Sequence, residues 1–463
     1  MTAKITDKLK KQLAQQIFDE ATGTKIGDSD NYYYIAVGRS QEWDVEANPD
    51  TPQPVEYDER TFRYDMQSIK AVEAFSFVIP LKDWTSGTAY AQYSDNDVGQ
   101  GTNFYVRTVD NNVYVCIRQG KNSLGASQIS SVKPSHTGTT IPIETDGYAW
   151  KYLYTISTAD GNSFLTANWM PVKFADSATY SNPTSTYHAQ YLVQNAATPG
   201  QIVGYRVTAG GTGYTNTDTL TVVGDGINAK ARIVVDGIGS IAAVEVGDSA
   251  NFGATGFPPL ADGFGSGYSR ANVRITTAGG SGASITPVLS VKAGIGANPV
   301  DDLRSTALMF NIKPEGNVEG KWIVDNEYRQ VGLLRNPLVY NSASKFTGTS
   351  ARALSIINLD AIPSPITFGE DILVNGDSNA QGYLDYWNNI NLWYHQNETT
   401  GFTPFRAGEF AMKALFFNKP WRKMIASRVL IGNVSQMTVT IVLGITGLLF
   451  YIGPTDESLF LLL

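Results

Sequence analysis

Apolar residues at Ile5, Leu9, Leu13 and Ile17 recur every four positions among lysines, glutamines and an aspartate. That spacing predicts an amphipathic helix at the start of the chain with one stripe to bury, against its own chain by preference or against a neighbouring subunit. The period then drops to two. From Tyr32 to Val37 the chain predicts a strand with Tyr33, Ile35 and Val37 on one face and Tyr32, Tyr34 and Ala36 on the other, both at least half buried. A proline-rich acidic loop follows, then a short helix around Asp65 to Ile69, then a strand FSFVIPLKDW that runs to Trp84. Residues 105–119, VRTVDNNVYVCIRQ with its preceding tyrosine, predict a tight hairpin around Asp110, Asn111 and Asn112. DGYAWKYLYTIS, from Asp146, predicts the strongest strand of this stretch, with Tyr148, Trp150, Tyr152 and Tyr154 on one face.

Between residues 200 and 293 the chain becomes rich in glycine, threonine, alanine and valine and repeats itself. GTGYTNTDTLTVVGDGINAKARIVV from Gly211 lies without gaps on GSGYSRANVRITTAGGSGASITPVLS from Gly265. Gly211, Gly213, Tyr214, Gly226 and Ala229 thereby match Gly265, Gly267, Tyr268, Gly280 and Ala283. Each copy predicts a tyrosine-anchored turn, a strand, a glycine turn and another strand, hence a compact β module of two similar halves. Near the end, the charge-free run MTVTIVLGITGLLFYIG predicts a buried β hairpin turning near Gly444 to Gly447, in preference to a membrane span, because threonines and glycines interrupt it.

Composition narrows the class. A chain of 463 residues is too long for one ordinary core, and about 150 residues per domain predicts roughly two to four units. Forty-four glycines and 11% aromatics against 17% charged residues favour strands and turns, so long helices should be few. The expected fold is mainly β with a few short helices: a β-sandwich-like protein of two domains, the second inserted into the first, plus the glycine-rich module. Residues 1–85 with 294–463 would form the first domain, 86–199 the inserted β domain, and 200–293 the module within the insertion. A net charge of −8 without a basic block disfavours nucleic acid as a partner. The single cysteine, Cys116, excludes an internal disulfide framework and reads as a small hydrophobe in its strand. The amino terminus has no apolar core of a secretory signal, which predicts synthesis into the cytosol.

Chemistry-bearing patterns are weak. His136, His188 and His395 stand far apart with no second ligand at metal spacing, so no metal site is expected. GTGYTN and GDGINA lead into strands, not into a helix whose amino terminus holds a phosphate, and GNVEGKW has one residue too few between its glycines for a P-loop. Asp95 and Asp97 stand like the first ligands of a calcium loop, but the twelfth position is Val106 where a glutamate is needed. No Gly-x-Ser-x-Gly elbow offers a serine nucleophile. Neither a cofactor nor a catalytic residue is therefore expected.

The strings without chemistry are IAVGRSQEW at 35–43, FVIPLKDW at 77–84 and DGYAWKYLYTI at 146–156. In this order they resemble the baseplate wedge subunit family of T-even-type contractile-tail phages, with DNEYRQVGLLRNP and YHQNETTGFTPF similar to its marine and cyanobacterial versions. The matching positions are Gly38, Arg39, Ser40 and Trp43; Val78, Ile79, Pro80, Asp83 and Trp84; and Asp146, Gly147, Tyr148, Trp150, Tyr152 and Leu153. The chain's end departs from that family, as a diverged tail or as a shift of frame after about Gly408. The resemblance implies a non-enzymatic virion protein, made in the host cytoplasm and built into the tail baseplate. It further implies a homodimer in each wedge of a six-fold assembly, bound to other wedge proteins and to no membrane, that helps transmit the signal for sheath contraction. Tyr32, Tyr34, Arg39, Trp43, Asp83, Trp84 and Trp150 are then candidate interface or core anchors, with Arg39 expected to pair with a carboxylate such as Asp83. Two other classes compete: a tail-associated glycan-binding or glycan-cleaving protein using exposed aromatics, and a protein anchored in a membrane by the apolar tail.

Overall fold

The structure, a computed structural model, describes residues 7–22, 32–38, 66–96, 103–122, 125–175, 178–247, 263–312, 326–335, 350–352, 395–397, 401–403, 424–431, 437–443 and 448–454. In chain order the elements are α1 (Asp7–Thr22), β1 (Tyr33–Gly38), β2 (Met66–Ala71), β3 (Ala74–Pro80), β4 (Tyr105–Arg107), β5 (Asn112–Arg118), β6 (Ala149–Thr155), α2 (Thr158–Phe164), β7 (Trp169–Val172) and α3 (His188–Asn195). The repeat region supplies β8 (Ile202–Thr212), β9 (Thr219–Gly224), β10 (Ile227–Val235), β11 (Ile241–Val246), β12 (Phe264–Ser266), β13 (Ala271–Thr276) and β14 (Ser281–Leu289). After the short α4 (Pro299–Asp302) come β15 (Ala307–Ile312), β16 (Asn326–Arg335), β17 (Ser350–Arg352), β18 (His395–Asn397), β19 (Gly401–Thr403), β20 (Met424–Ile431), β21 (Met437–Leu443) and β22 (Leu448–Pro454). The fold is mainly β with few short helices. Two compact units divide the chain: residues 1–78, 162–169 and 306–463 form one, and 79–161 with 170–305 form the other. The expected boundaries at 85/86 and 293/294 lie within a dozen or so residues of these crossings, and the return of 162–169 to the first unit has no counterpart in the sequence reading.

The first unit holds a five-stranded sheet ordered β17-β2-β1-β16-β20 and the run of strands β22-β21-β15 with most of β3. β1 is buried on both faces, Tyr33, Tyr34, Ile35 and Ala36 all lying in the core, as its double alternation predicts. Tyr33 meets Phe75 of β3 edge-on at 5.9 Å, and Phe75 meets Phe310 at 5.1 Å. The amphipathic helix is α1. Ala14 and Ile17 are buried, and Phe18 packs its ring on Phe77 at 4.7 Å, so the helix covers its own chain.

Two local expectations are corrected. Residues 66–71 form the strand β2 and not a helix, because Ile69 is fully buried and the backbone pairs with β1 on one side and β17 on the other. β3 stops at Pro80, short of Trp84; the chain re-engages through a bridge at Asp83 to Arg107. The apolar end does form a hairpin, Leu443 pairing with Leu448, and β21 joins the sheet through β15. Among the described residues no helix is long and apolar enough to cross a membrane.

The second unit combines the β4-β5-β6 meander with the duplicated module. The expected hairpin joins β4 to β5, with Asn111 at the positive φ that its turn requires. In the module the two copies exchange strands. The final strand of the first copy, β10, pairs at its start with β12, which leads into the second copy's turn (Ile227 with Ser266, Ala229 with Phe264). Reciprocally, β14 pairs with the end of β8, which leads into the first turn (Ser281 with Thr212, Ala283 with Gly210). The tyrosines follow suit: the Ala283 N–H donates to the Tyr214 hydroxyl and the Ala229 N–H to the Tyr268 hydroxyl, both at 3.4 Å. In β9 and β13 the partners Leu220–Ile275 and Thr221–Arg274 are related by the same local two-fold operation.

This exchange explains two of the repeated glycines. A Cβ on Gly226 would strike the Tyr268 ring, and one on Gly280 the Tyr214 ring. Gly226→Ala is therefore expected to destabilise the module by about 1–3 kcal/mol through overpacking. Gly237→Ala, whose Cβ meets nothing, should change it by less than about 0.5 kcal/mol. Urea titrations of both variants check this, and equal effects would contradict it.

Candidate functional site

The candidate site is where the conspicuous strings meet. β6 is buried along nearly its whole length, and Tyr148, Trp150 and Tyr152 project into one aromatic cluster with Tyr90, Val106, Tyr114, Cys116 and Val193. Tyr148 stacks on Trp150 at 5.7 Å and 12°, while Tyr90 meets Trp150 edge-on at 5.3 Å. Tyr154, expected on the same face, is buried outside this cluster and donates to the Pro171 carbonyl at 2.7 Å. A register shift between Val113 and Tyr114 moves it out of step.

The tyrosine hydroxyls of the cluster are bonded, while the buried Trp150 Nε1 has no hydrogen-bond partner. Tyr148 Oη donates to the Gln128 carbonyl at 2.6 Å and accepts from the Tyr90 N–H at 3.0 Å. Tyr114 Oη donates to the His136 carbonyl at 2.8 Å, and Tyr152 Oη pairs with Thr155 Oγ1 at 2.7 Å. Asp146, at the head of the DGYAW string, organises the neighbouring loop. Its Oδ2 accepts from the Ser131 and Val132 N–H groups at 2.8 and 2.9 Å and from Ser130 Oγ at 3.1 Å, and its Oδ1 from the Tyr148 N–H at 3.1 Å. Ser130 Oγ in turn accepts from Trp84 Nε1 at 3.1 Å. Trp84 of one string and Asp146 of another, distant in sequence, thus share one serine.

Asp83 binds Arg107 with both oxygens, at 2.7 and 3.1 Å, in a fork at a partly exposed position. The expected pairing of Asp83 with Arg39 involves a residue outside the described ones. Arg39 and Trp43 lie outside the described residues. Tyr32 is half-buried at the entry to β1, and Tyr34 is buried with its hydroxyl pKa pushed up by desolvation. The structure therefore brings Trp84 and Trp150 into one cluster, sets Asp83 beside it, and places Tyr32 and Tyr34 in the first unit.

The chemistry available here is packing and hydrogen bonding. Cys116 is fully buried, and desolvation with the Asp146 charge pushes its thiol pKa up, away from a nucleophilic thiolate. Asp95, half of the rejected calcium loop, instead pairs with Arg206 at 2.9 Å and accepts from the Leu289 N–H at 3.0 Å. No group of His, Cys, Asp and Glu suited to a metal ion occurs among the described residues. Sequence reading missed Ser130, Tyr90, Arg107 and the buried pair of Arg118 with Glu245, because each partner lies far along the chain with no spacing pattern to signal it.

His136 packs against Tyr114 with ring centroids 5.4 Å apart, and burial pushes its pKa below the usual 6.5, the Trp150 backbone opposing this. The folded state thus holds its proton less well than the unfolded chain. The resulting stability is present above the unfolded value and is lost as pH falls through about 6.5 toward the folded one. Wild type should therefore lose stability relative to His136→Gln between about pH 7.5 and about pH 5.5 in urea titrations; parallel curves would contradict it.

No protein-family model matches the chain, and no curated protein matches it.

Proposed function

We propose that this protein is a structural component of the baseplate wedge of a contractile-tail phage. In this reading it links neighbouring wedge proteins, forms a homodimer within each wedge of a six-fold assembly, and helps transmit the conformational signal for sheath contraction. It makes and breaks no bonds.

The observation that carries the reading is the junction itself. The residues of the KDW and DGYAW strings are held by one another through Ser130 and the stacked rings, with every acid and hydroxyl engaged in a bond within the chain. A protein that works by holding shape under load needs such cross-linked aromatic cores more than it needs a cleft. In this reading the KDW and DGYAW strings serve as architecture.

Co-expression with the neighbouring virion structural genes, followed by light scattering of what co-purifies, tests the proposal. A stable hetero-complex containing two copies of this chain is the expected result. A lone monomer that binds none of them would sink it, and turnover of a polysaccharide by the purified chain would favour the glycan-cleaving reading.

A further inference from the structure

The longest path of strands in the duplicated module runs β11-β10-β9-β13, so β11 and β13 are its edges. An edge strand carries unpaired backbone groups, and proteins guard such edges with bulges, prolines or lysines. β11 has a guard: its ladder to β10 shifts register between Val234 and Val235, and its Glu245 is held by Arg118. β13, ANVRIT, has none. It pairs with β9 in unbroken register from Ala271 to Thr276, contains no proline or lysine, and among the described residues pairs with no other strand. Asn272, Arg274 and Thr276 are exposed, while Ala271, Val273 and Ile275 are half-buried. The Val273 N–H is met by Asn272 Oδ1 at 2.8 Å, a side chain that can turn away.

The order of these residues selects a second copy of the same strand as the occupant. Two antiparallel copies related by a two-fold axis perpendicular to the sheet pair residues of the same face, so the axis must pass through a residue. An axis at Arg274 sets two arginines directly opposite each other, and one at Asn272 sets Arg270 opposite Arg274 of the second chain; like charges so placed are destabilising. An axis nearer either end pairs fewer residues. An axis at Val273 escapes both faults. It sets each Asn272 opposite Arg274 of the second chain, each Ala271 opposite Ile275, and Val273 on Val273. An amide carbonyl then meets a guanidinium twice on the exposed face, and apolar side chains meet on the half-buried one.

We propose that β13 is a self-association edge, which pairs antiparallel with β13 of a second chain about an axis at Val273 and joins the two modules into one continuous sheet. This gives the homodimer of the wedge reading its surface, and it rests on that reading.

The test uses the full chain in sedimentation velocity from about 1 to about 100 µM, because six residues per chain make a small interface with a dissociation constant in the micromolar range. A reversible dimer is expected. Asn272→Arg, at an exposed position, sets arginine against arginine twice across the axis and should weaken the dimer at least about tenfold. Adding Arg274→Asp to that variant puts opposite charges at both places and should bring the dimer back to within about threefold of wild type, or tighter. Hydrogen exchange should show the β13 amides gaining protection with concentration while those of β11 do not. A monomer throughout the range, a dimer indifferent to Asn272→Arg, or a double variant no better than the single one would each overturn the proposal. Protection of β13 that arises only with a co-expressed wedge protein would give the edge to that partner and overturn it too. A dimer indifferent to Asn272→Arg would leave the homodimer standing on another surface, so this proposal and the wedge reading can fail separately.

Discussion

Replacing Trp150 by alanine is expected to cost the second unit about 3–5 kcal/mol, among the largest losses a single core substitution produces. The indole is fully buried, stacked on Tyr148 and met edge-on by Tyr90, so truncation removes two ring contacts and leaves a cavity lined by aromatics. Rigid rings collapse poorly into such a void, which places the cost toward the upper end. The tyrosines around it are also tied by their hydroxyls, Tyr148 to Gln128 and Tyr114 to His136, and shifting to fill the space would break those bonds. Hydrogen exchange of the β5 and β6 amides measures the loss directly. Trp150→Phe, which keeps a ring in the stack, should recover at least half of it. A loss below about 1 kcal/mol for Trp150→Ala would mean that the cluster is not the core of this unit.

The strongly periodic segments were legible in the sequence because their burial is decided locally. β1, with apolar residues on both faces, and β6, with a tyrosine or tryptophan at every second position, read as buried strands and are so. The hairpin around Asp-Asn-Asn and the pairing of β21 with β22 read equally well, since turn chemistry is a property of a few adjacent residues. What escaped was decided at a distance. Residues 66–71, MQSIKA, carry no clear alternation, and the ladders to β1 and β17 make them a strand. The alignment of the two repeat copies revealed their similarity but not that each copy's last strand crosses to the other, because pairing partners leave no mark on a self-alignment. In the candidate site, Trp84 and Trp150 were named from their strings, while Ser130, which joins Trp84 to Asp146, sits in a polar stretch that reads as ordinary loop.

Breaking the Arg118–Glu245 pair from one side is expected to cost about 3–5 kcal/mol, as much as removing the indole, but for the opposite physical reason. Glu245→Leu leaves the guanidinium in a pocket where its side chain is only 6% exposed, with Lys121 lining the same wall and no carboxylate opposite. The cost is that of a stranded charge and not of a lost contact, so it should be largely relieved by removing the charge as well. The double variant Arg118→Met, Glu245→Leu is therefore expected to be more stable than Glu245→Leu alone, and within about 1–2 kcal/mol of wild type, because two apolar side chains of similar length can fill the space. Exchange of the β10 and β11 amides reports the module side of the junction and that of β5 the meander side. Both should weaken together in the single variant and recover together in the double one, since the pair joins β5 to β11. If the double variant were instead no more stable than Glu245→Leu alone, the pair would be holding the junction by its attraction. The buried charges would then be a source of strength here and not a constraint on which surfaces can meet.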